Sequence, residues 1–306
     1  MRYNHVMTCA RRCARRCARL TLIASALAAL CGAGVSGAVA APAATTPAAT
    51  TPAPAPPNAV STGHIAFVRL VAGGSDIWRI DPDRSHLQRL TTSHQASAPA
   101  WSADGSRIAY VDSGGIWLMH SDGSGKELAY KLDDALATSR PAWSPDGRQL
   151  AFAGHGKLYL ASTTGSRKAK HIADGTNPAF SPDGKRIAYI DTQHGADARI
   201  WVAKADGHDP VALTAIGTLP RHLSWKAGSV IAFTFTEDEG AHLGIITDDG
   251  KASDSIAEGA VNVALAPDAT RFVMAASTRD GQGILSVVVR GRVTPLGPGR
   301  QPDWGR

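Results

Sequence analysis

Three sets of residues in this 306-residue chain have types suited to chemistry. Adjacent carboxylates stand at Asp133-Asp134, Glu237-Asp238-Glu239 and Asp248-Asp249, the kind of pairing that general acid–base catalysis uses. Histidines at His194, His208, His222 and His242 form a loose group of metal-ligating side chains. A third set, Arg140, Asn177, Arg221, His222, Asn262, Arg300 and Gln301, carries hydrogen-bond donors that suit a carboxylate or an acidic peptide.

The first two sets lack the spacing their chemistry needs. The carboxylates fall in segments that read as turns and loops, where a solvated turn accounts for them. The histidines are 14, 14 and 20 residues apart, never three or four, so neither a helix nor a single strand brings them together. The chain has no G-x-S-x-G or H-E-x-x-H, and its four cysteines all precede residue 41. The expectation is a non-enzymatic protein with no cofactor. The alternative is a lyase or hydrolase with a metal in a central channel.

The third set takes its meaning from a repeat. Pro99-Ala100-Trp101-Ser102-Ala103-Asp104-Gly105 recurs at Pro141–Gly147 and again at Pro178–Gly184. An apolar strand follows each copy: Arg107 to Val111, Gln149 to Ala153, and Arg186 to Ile190. Fainter copies follow at Leu223-Ser224-Trp225 and at Val263 to Asp268, and Pro302-Asp303-Trp304 ends the chain as a last one. The first apolar strand, His64 to Leu70, has no such motif ahead of it. A second marker keeps the same register: Trp78, Trp117, Tyr159 and Trp201, continued without the ring at Gly244 and Ser286, with gaps of 39 to 43. Each marker precedes a turn signal, such as Asp122-Gly123 or Asp206-Gly207.

One unit is therefore four short strands over about 40 residues. A four-stranded sheet cannot cover both of its faces alone. Six of them closed around an axis can, and closure leaves only short edges. The expected fold is all-β, a six-bladed β-propeller over residues 59–306, closed by pairing of residues 301–304 with residues 64–70. All seven tryptophans fall at repeat positions, which assigns them to packing between blades rather than to sugar or base stacking. Aligning the copies places Ala98, Arg140, Asn177, His222, Asn262 and Gln301 just ahead of each innermost strand, with Ser97, Ser139, Thr176, Arg221, Val261 and Arg300 before them. These positions converge at the mouth of the channel, and the ring they form has three arginines and no carboxylate.

The string Pro-Ala-Trp-Ser-Pro-Asp-Gly followed by Arg/Gln-x-Ile/Leu-Ala-Tyr/Phe resembles the repeat of TolB-type propellers, periplasmic components of the Tol–Pal envelope system. The resemblance covers residues 59–306. It does not extend to the α/β domain that TolB proteins carry ahead of the propeller, where this chain has an 18-residue spacer. The resemblance implies a protein-interaction scaffold of the cell envelope that uses the channel mouth to bind a protein partner.

Residues 1–40 read as a signal peptide, with a basic start, an apolar run from Leu20 to Leu30, and cleavage expected between Ala40 and Ala41. The mature protein is expected in the periplasm as a monomer, attached to the membrane only if the N-terminus stays uncleaved. Residues 41–58 contain only Ala, Pro, Thr and one Asn and read as an extended spacer. The formal charge of +6 belongs to the leader, whose six arginines are unopposed. Without them 26 basic residues face 26 acidic ones, so there is no basic field for nucleic acid.

Overall fold

The computed structural model describes residues 63–132, 139–164, 168–191, 198–214, 220–226, 228–237, 240–251, 253–258, 260–268, 270–276, 278, 281, 283–289 and 292–306. The leader and the spacer lie outside the described residues. Among the described residues, twenty-four strands form six four-stranded sheets. Blade 1 holds β1 (Ile65–Val71), β2 (Gly74–Ile80) and β3 (Gln88–Arg89); blade 2 holds β4 (Ser97–Trp101), β5 (Arg107–Asp112), β6 (Gly115–His120) and β7 (Glu127–Lys131). Blade 3 holds β8 (Ala142–Trp143), β9 (Gln149–Gly154), β10 (Lys157–Ser162) and β11 (Ala169–Asp174). Blade 4 holds β12 (Thr176–Phe180), β13 (Arg186–Ile190), β14 (Ile200–Lys204) and β15 (Val211–Ala212). Blade 5 holds β16 (Pro220–Ser224), β17 (Val230–Glu237), β18 (Gly240–Thr247) and β19 (Ser253–Glu258). Blade 6 holds β20 (Ala260–Leu265), β21 (Arg271–Ala276), β22 (Ile284–Val289) and β23 (Arg292–Pro298). The last strand, β24 (Arg300–Trp304), returns to blade 1, giving that sheet the order β24-β1-β2-β3.

The expected fold and its closure are therefore present. Ile65 pairs with Trp304 and Ala66 with Asp303, and the backbone of His64 bonds that of Gly305 just beyond the ladder. Trp304 is 0% exposed. Second strands such as β5 are buried along nearly their whole length because neighbouring blades cover both faces, which is why they read as continuous apolar runs. The core consists of seams between blades. At one seam Ala66 and Ile77 of blade 1 pack with Trp101, Ile108, Tyr110 and Met119 of blade 2. At another, Phe67 and Trp304 of blade 1 meet Val273 and Leu285 of blade 6.

The Pro-Asp-Gly turns have a mechanism that extends beyond the three residues. Gly105, Gly147 and Gly184 take φ of +72°, +68° and +70°, where a Cβ would be strained. The Asp carboxylates accept the backbone N–H two residues on, from Ser106, Arg148 and Lys185, at 3.0–3.1 Å. The motif serine locks the turn: Ser102 Oγ donates to Asp104 at 2.5 Å and accepts the Arg107 N–H at 2.9 Å. These bonds hold the Asp104 carboxyl at about 2, with Ser102 the largest influence, burial opposing it and the Ser106 bonds adding to it.

Candidate functional site

The innermost strands do not run straight into the channel. Their registers shift between Ser97 and Ala100 in blade 2, Thr176 and Ala179 in blade 4, Arg221 and Leu223 in blade 5, and Ala260 and Asn262 in blade 6. Blade 1 shows the same shift where β24 meets Ala66 and Val68. At four of these bulges a non-glycine residue is left-handed: Ala98 (φ +51°), Asn177 (+52°), His222 (+38°) and Gln301 (+49°). Left-handed backbone costs an L-residue on the order of 1–2 kcal/mol. Its recurrence at one repeat position turns each of these residues out of the ladder and toward the axis.

The result is a shared mouth. Ala98, Arg140, Asn177, His222 and Gln301, with Pro178 and Leu223, line a cavity of about 20 Å³. Four of the seven residues expected from the sequence thus meet in one place. A fifth, Asn262, is tied to it: its Oδ1 accepts the Gln301 N–H at 3.1 Å, and Gln301 Oε1 accepts the Ala98 N–H at 3.1 Å. A side chain of one blade so caps the backbone of the next, and the amides are partly spent on holding the ring together. Asn177 Nδ2 donates to the neighbouring Thr176 hydroxyl at 3.4 Å. Arg221 is exposed beside His222, and Arg300 is half-buried opposite Val68. Burial pushes the His222 imidazole down to about 3, with Arg140 and Arg221 adding to the effect, so the ring is neutral at pH 7.

Arg140 also reaches a second space. A funnel of about 360 Å³ opens among the Pro-Asp-Gly turns, lined by residues that include Ser102, Pro145, Pro182, Lys226 and Asp303 as well as Arg140. Arg140 Nη2 donates to the Pro302 carbonyl at 2.6 Å, and Nη1 lies 3.6 Å from Asp303. Lys226 Nζ donates to Asp303 Oδ2 at 3.2 Å, and the Trp101 N–H donates to the same oxygen at 2.7 Å. Residues of blades 2, 3 and 5 thus converge on one carboxylate of blade 1. Asp303 and Lys226 are not among the candidate site residues that the sequence singles out. The signal was present, since Asp303 occupies the repeat position held by Ala100, Ala142, Ala179 and Ala264.

Among the described residues, the other two sets do not assemble. Asp133, Asp134, Asp238, Glu239 and His194 lie outside the described residues. Asp248 pairs with Arg186, and Asp249 bonds Thr247 Oγ1 and the Lys251 N–H as a turn residue. His242 stacks on Phe235 at 5.3 Å in blade 5 and is not among the residues lining the mouth cavity. Among the described residues, no group of three or more His, Cys, Asp or Glu side chains is placed to hold a metal ion.

Comparison with known proteins agrees with this architecture. TolB from Acinetobacter baumannii superposes with a TM-score of 0.69 at 21% identity, over 80% of this chain and 67% of that one. A TolB-like structure from Agrobacterium tumefaciens gives 0.59 at 17% identity, over 78% and 91%. An oligogalacturonate lyase in complex with manganese gives 0.54 at 13% identity, over 77% and 74%. At these identities the likeness is one of fold. No curated protein matches the sequence. The profile of the TolB beta propeller domain matches residues 59–305, and the chain belongs to that family.

Proposed function

We propose that the chain is a non-enzymatic protein-interaction scaffold of the bacterial cell envelope, exported to the periplasm, which binds an acidic segment or carboxylate of a protein partner at the channel mouth. The observation that carries this reading is the set of left-handed bulges at four blades, three of which bring a polar side chain, Asn177, His222 or Gln301, to one opening. The chemistry of the ring supports an acidic partner, because it presents three arginines and no carboxylate. In this reading exposed Arg221 meets the partner first, with half-buried Arg300 behind it, while Arg140 is held back by Pro302 and Asp303.

The test uses the exported chain in cells. A photoreactive residue replacing Asn177 should crosslink a discrete envelope protein, and Arg221→Glu with Arg300→Glu should abolish that product while the protein stays folded. Unchanged crosslinking in the folded double variant would overturn the mouth as the docking site. Stoichiometric manganese or zinc in the purified protein would shift the reading to the lyase alternative.

A further inference from the structure

The charges inside the channel do not balance. Asp303, 2% exposed, faces two cations, Lys226 Nζ at 3.2 Å and Arg140 Nη1 at 3.6 Å. Asp104 and Arg306, also on the funnel wall, are exposed and screened by solvent, and His222 is uncharged. The cluster of Asp303, Lys226 and Arg140 therefore carries an excess of one positive charge. A partly desolvated charge without a counter-charge is unfavourable, which favours an anion beside it.

Arg140 has the unused donors to hold one. A guanidinium has five N–H groups. Here Nη2 donates to Pro302, the Nη1 contact with Asp303 is too long for a hydrogen bond, and Nε is buried without a partner. His222 Nδ1 is likewise buried without a partner. Arg140 is 16% exposed and lines both spaces, the mouth cavity of about 20 Å³ and the funnel of about 360 Å³. The smaller space has room for roughly one water-sized particle.

We propose that the channel mouth holds one small monovalent anion of halide size against Arg140, where the cavity and the funnel meet, as part of the folded propeller. The ion neutralises the excess charge that Lys226 and Arg140 leave over Asp303. This inference does not rest on the partner reading: the ion needs no partner, and a partner's carboxylate reaching Arg140 would have to displace it.

The experiment compares unfolding midpoints of the exported chain in sodium chloride or bromide with those in sodium isethionate, whose anion is too large for the cavity, at equal ionic strength. The midpoint should be higher in halide by a few degrees and should rise saturably with halide concentration. Lys226→Met leaves Arg140 and Asp303 balanced, so the halide effect should disappear. Asp303→Asn leaves two unopposed cations, so the effect should grow. In bromide-soaked crystals an anomalous peak should lie within hydrogen-bond reach of Arg140. Equal midpoints in halide and isethionate would overturn the site, and so would a halide effect that persists in Lys226→Met. If Asp303→Asn does not fold, the Lys226→Met comparison decides alone.

Discussion

The Arg107 guanidinium of blade 2 lies 4.6 Å from the centre of the Trp143 ring of blade 3, and its Nη2 donates to the Gly147 carbonyl at 3.2 Å. The contact recurs at alternate seams, with Arg186 over Trp225 at 5.2 Å and Arg271 over Trp304 at 5.0 Å. In each case the arginine opens a second strand and the tryptophan is the motif residue of the following blade. At the seam between blades 1 and 2, His64 stands over Trp101 instead, ring centres 6.1 Å apart. Trp143, Trp225 and Trp304 are thus covered by guanidinium groups and Trp101 by an imidazole ring rather than left open to a sugar or a base.

Replacing Arg107 with Ala should cost about 1 kcal/mol, from the lost cation–π contact and the lost packing of its methylene stem. Arg107→Lys should recover part of that. The seams share no partners, so Arg107→Ala and Arg271→Ala should add in urea unfolding. A cost near zero for either would mean that the stacked guanidinium contributes nothing beyond solubility.

Closure carries a larger expectation. Trp304 is fully buried against blades 1 and 6, so Trp304→Ala should cost about 3–5 kcal/mol. Deleting residues 300–306 removes a whole strand and bares the edge of β1, which should lower the urea midpoint and promote self-association. A truncated chain with an unchanged midpoint, monomeric by light scattering, would contradict the closure.

Much of this was legible in the sequence for a physical reason. Blades repeat because each seam poses the same packing problem, so Trp101, Trp143 and Trp304 recur in register and fix both blade count and closure. The mouth residues were legible from the same alignment, as the copies bring Arg140, Asn177, His222 and Gln301 to equivalent positions. The bulges were not, because Ala98 and Gln301 carry no side-chain mark of a left-handed backbone; only Asn177 and His222 are residue types enriched there. The bonds that spend Asn262, Gln301 and Arg140 on the ring itself connect different blades, and repeat spacing does not report them.

Asp303 shows how a departure from the repeat can be tested. Asp303→Ala restores the residue found at this position in blades 2, 3, 4 and 6, yet it should destabilise the protein by about 3–5 kcal/mol. It leaves Lys226 and Arg140 unpaired and the buried Trp101 N–H without its acceptor. Adding Lys226→Met should recover part of the loss. If Asp303→Ala alone proves neutral in urea, the carboxylate is incidental.

His222 should make stability depend on pH in a defined window. Its ordinary value of 6.5 applies to the unfolded chain, whereas burial and the neighbouring arginines hold the folded value at about 3. Above pH 6.5 neither state binds the proton, and this group leaves stability unchanged. Between 6.5 and 3 the unfolded chain takes up the proton and the folded protein does not. Stability then falls as pH falls, by up to about 1.4 kcal/mol per pH unit for this one group. Below 3 both states are protonated and the loss levels off. His222→Gln removes the titration and leaves the carboxylates in place, so the variant should lose less stability than the parent between pH 7.5 and pH 5. Arg221→Gln should do the same more weakly, because Arg221 is a minor cause of the shift. Parallel curves for parent and His222→Gln would show that the imidazole is solvated, and the mouth would then be an open basin instead of a closed ring.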